Sequence, residues 1–134
     1  MQHHVLDTAE LSPGLRVIVR ALRAGKTVAT LADQDIPHLN GVFVPWFGDA
    51  AWTPSAPAAL AQLARAAVMP VFLLRRHGRW VVHAGPRVHF PRSTSREADL
   101  LAITAWATAY QERLVAEHPP QWVWWHKRWR TRPT

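Results

Sequence analysis

The chain has no cysteine among its 134 residues, which excludes disulfide cross-links, thiolate nucleophiles and cysteine-bound metal centres. Acidic residues are scarce too. Nine Asp and Glu stand against 16 Lys and Arg, for a formal charge of +7 with the histidines neutral. Such a balance favours an anionic partner, whether phospholipid, phosphorylated glycolipid, acidic carrier protein or nucleic acid. Long hydrophobic runs are also missing: a membrane span needs about 18 consecutive uncharged apolar residues. Arg65, Arg75 and Arg76 interrupt the most apolar region, and prolines break the rest. No signal peptide is expected, because Met1-Gln2-His3-His4 is followed by acids rather than an apolar core. Without repeats or low-complexity tracts, residues 1–134 read as a single domain with a modest core.

What is abundant is tryptophan, concentrated at the C-terminal end. His118 to Pro133 holds Trp122, Trp124, Trp125 and Trp129 together with Lys127, Arg128, Arg130 and Arg132. Pro119 and Pro120 suit a first helical turn, and no breaker follows Gln121 until Pro133, so a short helix is predicted. On that helix Trp122, Trp125 and Trp129 would form one aromatic stripe at i, i+3 and i+7, with Trp125 and Trp129 packed inward. Arg128 and Arg132, four apart, would share a face as a two-pronged donor set for a phosphorylated sugar, a task for which lysine lacks the planar fork. Spacing alone leaves two readings open: a buried stripe with a solvated basic face, or an aromatic and cationic site for an anionic headgroup.

Elsewhere the pattern is α/β. Ser12-Pro13 starts a helix over 13–24, with Leu15, Ile18, Val19 and Leu22 at helical spacing and Gly25 as its stop. Residues 27–32 read as a short buried strand ending at Asp33, and ligands of α/β sheets gather at such strand ends. Residues 33–55 read as a long loop, punctuated by Pro37, Asn40-Gly41, Pro45, Gly48 and Pro54. An alanine-rich helix over 57–67, a strand over 68–74 and a hairpin around Gly78 to a third strand follow. A second long helix is marked by a capping box, Thr94-x-x-Glu97, with Leu100, Ile103, Ala107, Tyr110 and Leu114 as its inner stripe. Asp33-Gln34-Asp35 could accept from sugar hydroxyls or steady a cation, and is equally an ordinary loop start. Arg75-Arg76-His77-Gly78-Arg79 is either a solvated turn or part of a headgroup- or carrier-facing surface.

The tail resembles the C-terminal signature of the late acyltransferases of lipid A biosynthesis, which ends Pro-x-Gln-aromatic-x-Trp-x-His-basic-Arg-aromatic-basic-Thr-Arg-Pro. His126, Arg128, Thr131, Arg132 and Pro133 match it position for position. Arg20 to Lys26, Ala32 to Asp35, and Val42 to Gly48 are similar to further blocks of that family. Ala59 to Pro70 and the basic hairpin fit in order, so the resemblance runs along nearly the whole chain but over only about half of the family's length. It implies a mixed sheet flanked by helices, the C-terminal part of a glycerolipid-acyltransferase-like fold. It further implies acyl transfer from an acyl carrier protein thioester to a hydroxyacyl group of a lipid A precursor, at the cytoplasmic face of the bacterial inner membrane. Asp33, Gln34, Asp35, His126, Arg128 and Arg132 are then the substrate-binding candidates, with no metal or cofactor. Expected partners are the carrier protein thioester, the lipid A precursor, an anionic membrane surface and an N-terminal half carrying the rest of the fold, with no nucleic acid.

One departure bears on catalysis. The family's general base is the histidine of a His-x-x-x-x-Asp/Glu motif, yet five residues beyond the histidines of this chain stand Thr8, Ala9, Phe43, Val82, Val88, Thr94, Val123 and Thr131. His3 and His4 lie near Asp7 and Glu10 at the wrong spacing. Ser12 stands where the family tends to have an arginine. The expectation is therefore a truncated, split or excised acyltransferase portion, peripheral to the membrane, with no catalytic residue of its own and inactive alone. A non-catalytic anionic-lipid-binding module is the alternative, and a single-strand nucleic-acid module a more distant one.

Overall fold

A computed structural model describes residues 12–134, so His3, His4, Asp7 and Glu10 lie outside the described residues. Helix α1 spans Pro13–Arg23. The Ser12 hydroxyl accepts from the Leu15 N–H at 3.4 Å, Pro13 occupies a first-turn position where no N–H is needed, and Gly25 takes φ 79° beyond the C-cap. The strand expected over 27–32 does not form, and Leu31 is 91% exposed. Strands require a partner edge, and none of the described strands pairs with this run.

The described residues are α/β as expected, but in place of one mixed sheet they form two separate antiparallel hairpins. Strands β1 (Gly41–Trp46) and β2 (Asp49–Pro54) form one, β3 (Val71–Arg76) and β4 (Arg79–Ala84) the other. Each closes through a two-residue turn with positive φ at both positions: Phe47 at 48° and Gly48 at 81°, His77 at 50° and Gly78 at 75°. Turns of this kind match the right-handed twist of the strands they join. The first hairpin lies inside the segment read as loop, which is a correction. Gly48 there is a turn position, and a two-stranded ribbon tolerates Pro45 because each strand has an open edge. Phe47 carries a backbone conformation unusual for a bulky residue. Its N–H donates to the Glu112 carboxylate at 2.8 Å, which fastens the turn to helix α3.

Helix α2 spans Ala56–Ala64 and ends at Arg65 in the left-handed region, φ 54°. Helix α3 spans Arg96–Glu117, and the expected reciprocal capping box does not form, since the N–H of its cap residue donates to Ser93 Oγ instead of a side chain of the first turn. Ser95, not Thr94, is the cap, accepting from the Ala98 N–H at 3.2 Å. Asp99, not Glu97, reaches back, its two oxygens accepting from the Ser93 N–H at 3.1 and 3.0 Å. The expected inner stripe holds: Ile103 and Leu114 are buried, and Leu100, Ala107 and Tyr110 are partly so. Helix α3 packs against β1 and, further along, against the second hairpin. There Tyr110 stacks on Phe72 at 6.1 Å and meets His83 Nε2 at 3.1 Å. Gly85 permits this contact, since a Cβ on it would come within 2.6 Å of the Tyr110 ring.

The centre of the core is Trp46, fully buried with Ala51 and Val115, against which Trp122 and Trp129 pack. The tail reaches it without forming the predicted helix. Pro119–Gln121 makes one 3-10 turn, and irregular turns follow, such as the His126 N–H to the Val123 carbonyl at 3.2 Å. Gln121 uses both ends of its amide on β3, accepting from the Arg75 N–H at 2.6 Å and donating to the Arg75 carbonyl at 3.1 Å. Trp125, expected inside, is 83% exposed. Arg128 is 2% exposed. Its Nη1 donates to the Trp52 carbonyl at 2.8 Å, its Nη2 to Thr53 Oγ1 at 2.6 Å, and its guanidinium sits 5.4 Å from the centre of the Trp46 ring. The shared face of Arg128 and Arg132 is thus also corrected, because the helix that would have created it is absent. Helix propensity differs by tenths of a kcal/mol per residue, whereas burying an indole and satisfying a buried guanidinium involve several.

These placements predict opposite outcomes for two tryptophans. In denaturant unfolding, Trp46→Ala should cost about 3–5 kcal/mol, while Trp125→Ala should stay within about 0.5 kcal/mol of wild type. Equal losses would contradict the burial pattern. Arg128→Ala should cost about 3 kcal/mol by stranding the Thr53 hydroxyl and the Trp52 carbonyl. Arg128→Lys should also lose stability, since an ammonium cannot span both acceptors as the fork does.

Candidate functional site

The acidic block and the tail, far apart in sequence, are joined by one carboxylate. Asp35 accepts from the Thr131 N–H at 2.6 Å and from the Thr131 hydroxyl at 2.8 Å. This clamp closes a groove of about 250 Å³ lined by Gln34, Asp35, Trp125, His126, Lys127 and Arg130. Turn geometry builds it. Successive turns send Trp122, Arg128 and Trp129 inward, and Trp125, Lys127 and Arg130 outward beside Asp35.

Of the six residues singled out by sequence, Gln34, Asp35 and His126 line this groove. Asp33 is half-buried next to it in sequence, and its charge acts on Arg128. Arg128 faces protein acceptors behind the groove, and Arg132 pairs with Asp49 at 2.9 Å on the exposed surface. Trp125, Lys127 and Arg130 were missed as groove residues. Their signal was present in the tail's composition, but a helical projection placed Trp125 in the core.

Electrostatics tie the same parts together. Burial pushes the Arg128 pKa below its ordinary value, and the carboxylates of Asp35 and Asp33 oppose that shift. A guanidinium stays charged in proteins, so the acidic block supplies counter-charge to a buried cation. Asp49 is held below the usual carboxylate range chiefly by its hydrogen bond from Arg132. Whatever that exposed pair adds is present above the unfolded carboxyl pKa and is lost as pH falls through the lowered one; exposed pairs contribute little. Nδ1 of His126 is buried with no hydrogen-bond partner among the described residues.

What this arrangement offers is a set of binding groups. Histidine rings among the described residues meet Tyr110 and Arg76, not a carboxylate, and no cluster there could hold a metal ion. An indole face, an amide, a carboxylate and two cations around one groove suit a sugar bearing an anionic group: ring stacking, hydroxyl acceptors and phosphate donors. A second depression of about 290 Å³ lies at the end of α2, where Arg92 is already committed to the Gln62 carbonyl.

The profile of the bacterial lipid A biosynthesis acyltransferase family matches residues 3–131. A lipid A biosynthesis lauroyltransferase of Escherichia coli (strain K12) is 29% identical over 124 residues, covering 89% of this chain and 39% of the relative. A lipid A biosynthesis palmitoleoyltransferase of the same organism is 29% identical over 121 residues, covering 89% and 38%. A phosphatidylinositol mannoside acyltransferase of Mycolicibacterium smegmatis (strain ATCC 700084 / mc(2)155) is 28% identical over 117 residues, covering 87% and 36%. The chain therefore spans under two fifths of the length of these curated relatives. With the match running through the hairpins, α3 and the tail up to Thr131, the chain belongs to the bacterial lipid A biosynthesis acyltransferase family.

Proposed function

We propose that this chain is the acceptor-binding portion of an acyltransferase that moves a fatty acyl group from an acyl carrier protein thioester to a hydroxyacyl group of a lipid A precursor. The Asp35–Thr131 clamp carries this reading, because it brings an amide and a carboxylate to an exposed indole and two cations. The names of the relatives support a glycolipid acceptor, as they speak of lipid A and of phosphatidylinositol mannoside. In the groove, Trp125 stacks on a sugar face, and the Gln34 amide oxygen and the free lone pairs of Asp35 accept hydrogen bonds from its hydroxyls. Lys127 and Arg130 meet the phosphate, with His126 at the wall. Asp33 and Arg128 are positioning residues: they hold the clamp from behind. Arg132 is the outermost candidate, reachable by a headgroup only by exchanging Asp49.

In the transfer, the acceptor hydroxyl loses its proton to a base and attacks the thioester carbonyl. An ester C–O bond forms, the C–S bond breaks, and the thiol leaves protonated. No histidine here has an acid at the family spacing, so this chain supplies the acceptor wall and not the base. The reading places the work at the cytoplasmic face of the inner membrane. No helix of the described residues is long and apolar enough to cross a membrane, which fits peripheral attachment of this portion.

The groove can be tested in solution with a soluble sugar phosphate, free of acyl chains. Lys127→Ala/Arg130→Ala and Trp125→Ala should each weaken its binding about tenfold or more, with an unchanged melting temperature. Binding that is indifferent to all three changes would discard the headgroup role. Incubated with acyl carrier protein thioester and lipid A precursor, the chain alone should form no product. Turnover abolished by changing any one of its histidines would show that a base is present.

A further inference from the structure

Helix α1 has already spent its apolar face. Val19 is buried, Leu15, Ile18 and Leu22 are partly so, and the helix packs on α2. Its outward face carries Arg16, Arg20 and Arg23 at i, i+4 and i+7, all exposed, with Val17 as the single large apolar side chain among them. The sequence has no acidic residue between Glu10 and Asp33, α2 has none, and no ion pair among the described residues engages the row. The cations continue across the end of α2. Arg23 Nη2 donates to the Leu63 carbonyl at 3.2 Å, Arg92 Nε to the neighbouring Gln62 carbonyl at 3.1 Å, and Arg65 stands at the C-cap.

Local physics accounts for part of this row only. Arg20 and Arg23 lie in the last turn, where the helix dipole favours a cation. Arg16 closes the first turn, where the dipole favours an acid, and α1 has no acid there. Arg20, one turn further on, adds like-charge repulsion. A residue that works against its own helix is expected where a surface serves binding.

We propose that this arginine face docks the acidic surface of acyl carrier protein, whose carboxylates pair with Arg16 and Arg20. The identity of the carrier rests on the acyl transfer proposed above. A cationic face without apolar companions suits hydrated carboxylates. An interfacial helix needs an apolar face to bury in lipid, and that of α1 is already in use. Burial under further polypeptide suits the face no better, since each guanidinium would need new acceptors. Exposed charge pairs steer encounter and set orientation more than they add affinity, which fits a carrier that must leave once its acyl group is gone.

Titration of the chain with unacylated acyl carrier protein tests this, and binding should weaken as salt rises. Arg16→Glu/Arg20→Glu should weaken it about tenfold or more, chiefly through slower association. Arg16→Glu alone should also weaken it while raising the melting temperature by roughly 2 °C, an inversion that an arginine serving only the helix would not show. Arg23 stays intact in these variants because it holds the Leu63 carbonyl. Sugar phosphate binding in the tail groove should be unchanged by them; a groove that binds no sugar phosphate beside an α1 that binds the carrier would count against the acceptor reading alone. The docking proposal is overturned if the carrier is not bound, or if the α1 variants bind it as wild type while Arg76→Gln/Arg79→Gln does not. It is equally overturned if Arg16 and Arg20 hold anionic vesicles or an oligonucleotide in place of the carrier.

Discussion

The structure turns on a cation buried where the tail meets the first hairpin. The Arg128 fork holds the Trp52 carbonyl and the Thr53 hydroxyl and lies against the ring of Trp46, the fully buried centre of the core. A buried guanidinium is costly unless its donors are met and its charge opposed. Both terminal nitrogens are met by β2, and the charge is opposed by Asp35 and Asp33. Only Nε is left without a partner. Arg128 thereby ties the tail to the hairpin, the Asp35–Thr131 bonds tie the tail to the acidic block, and the groove lies beside that junction.

This linkage explains why the tail abandons a helix its composition would support. A continuous helix through Gln121 to Arg132 would keep Trp122, Trp125 and Trp129 on one face and aim Arg128 and Arg132 together. Trp122 and Trp129 reach the Trp46 cluster and Arg128 reaches β2 only if the backbone turns between them. Gln121, bonded through both ends of its amide to Arg75, fixes where the turning starts. Local propensity yields to burial, as it commonly does when the two conflict.

Legibility from sequence followed the range of the interactions. Helix α1 was readable to within a residue because Ser12, Pro13 and Gly25 act locally. The stripe of α3 was readable because it repeats, although its cap was displaced to Ser95 by a neighbouring hydroxyl. Gly78 announced the second hairpin. The first was hidden, since Pro45 and Pro54 look like loop residues until the two-residue turn at Phe47-Gly48 is recognised. The groove was half legible. Gln34, Asp35 and His126 were found by chemistry and resemblance, but Trp125, Lys127 and Arg130 depend on how the turns aim side chains, which no periodicity encodes.

The tail run itself can now be divided by physical demand. Where the signature asks for glutamine, both ends of the Gln121 amide are engaged; where it asks for threonine, Thr131 gives Asp35 a hydroxyl as well as an N–H. Where it asks for arginine, Arg128 spans two acceptors that one ammonium could not. Where it asks only for a basic residue, Lys127 and Arg130 are exposed at the groove, and lysine and arginine both supply positive charge to an anionic group. Buried positions need a shape, and exposed groove positions need a charge. Arg132 is the exception, because its surface pair with Asp49 would be served by lysine as well, so packing leaves the demand for arginine there unexplained.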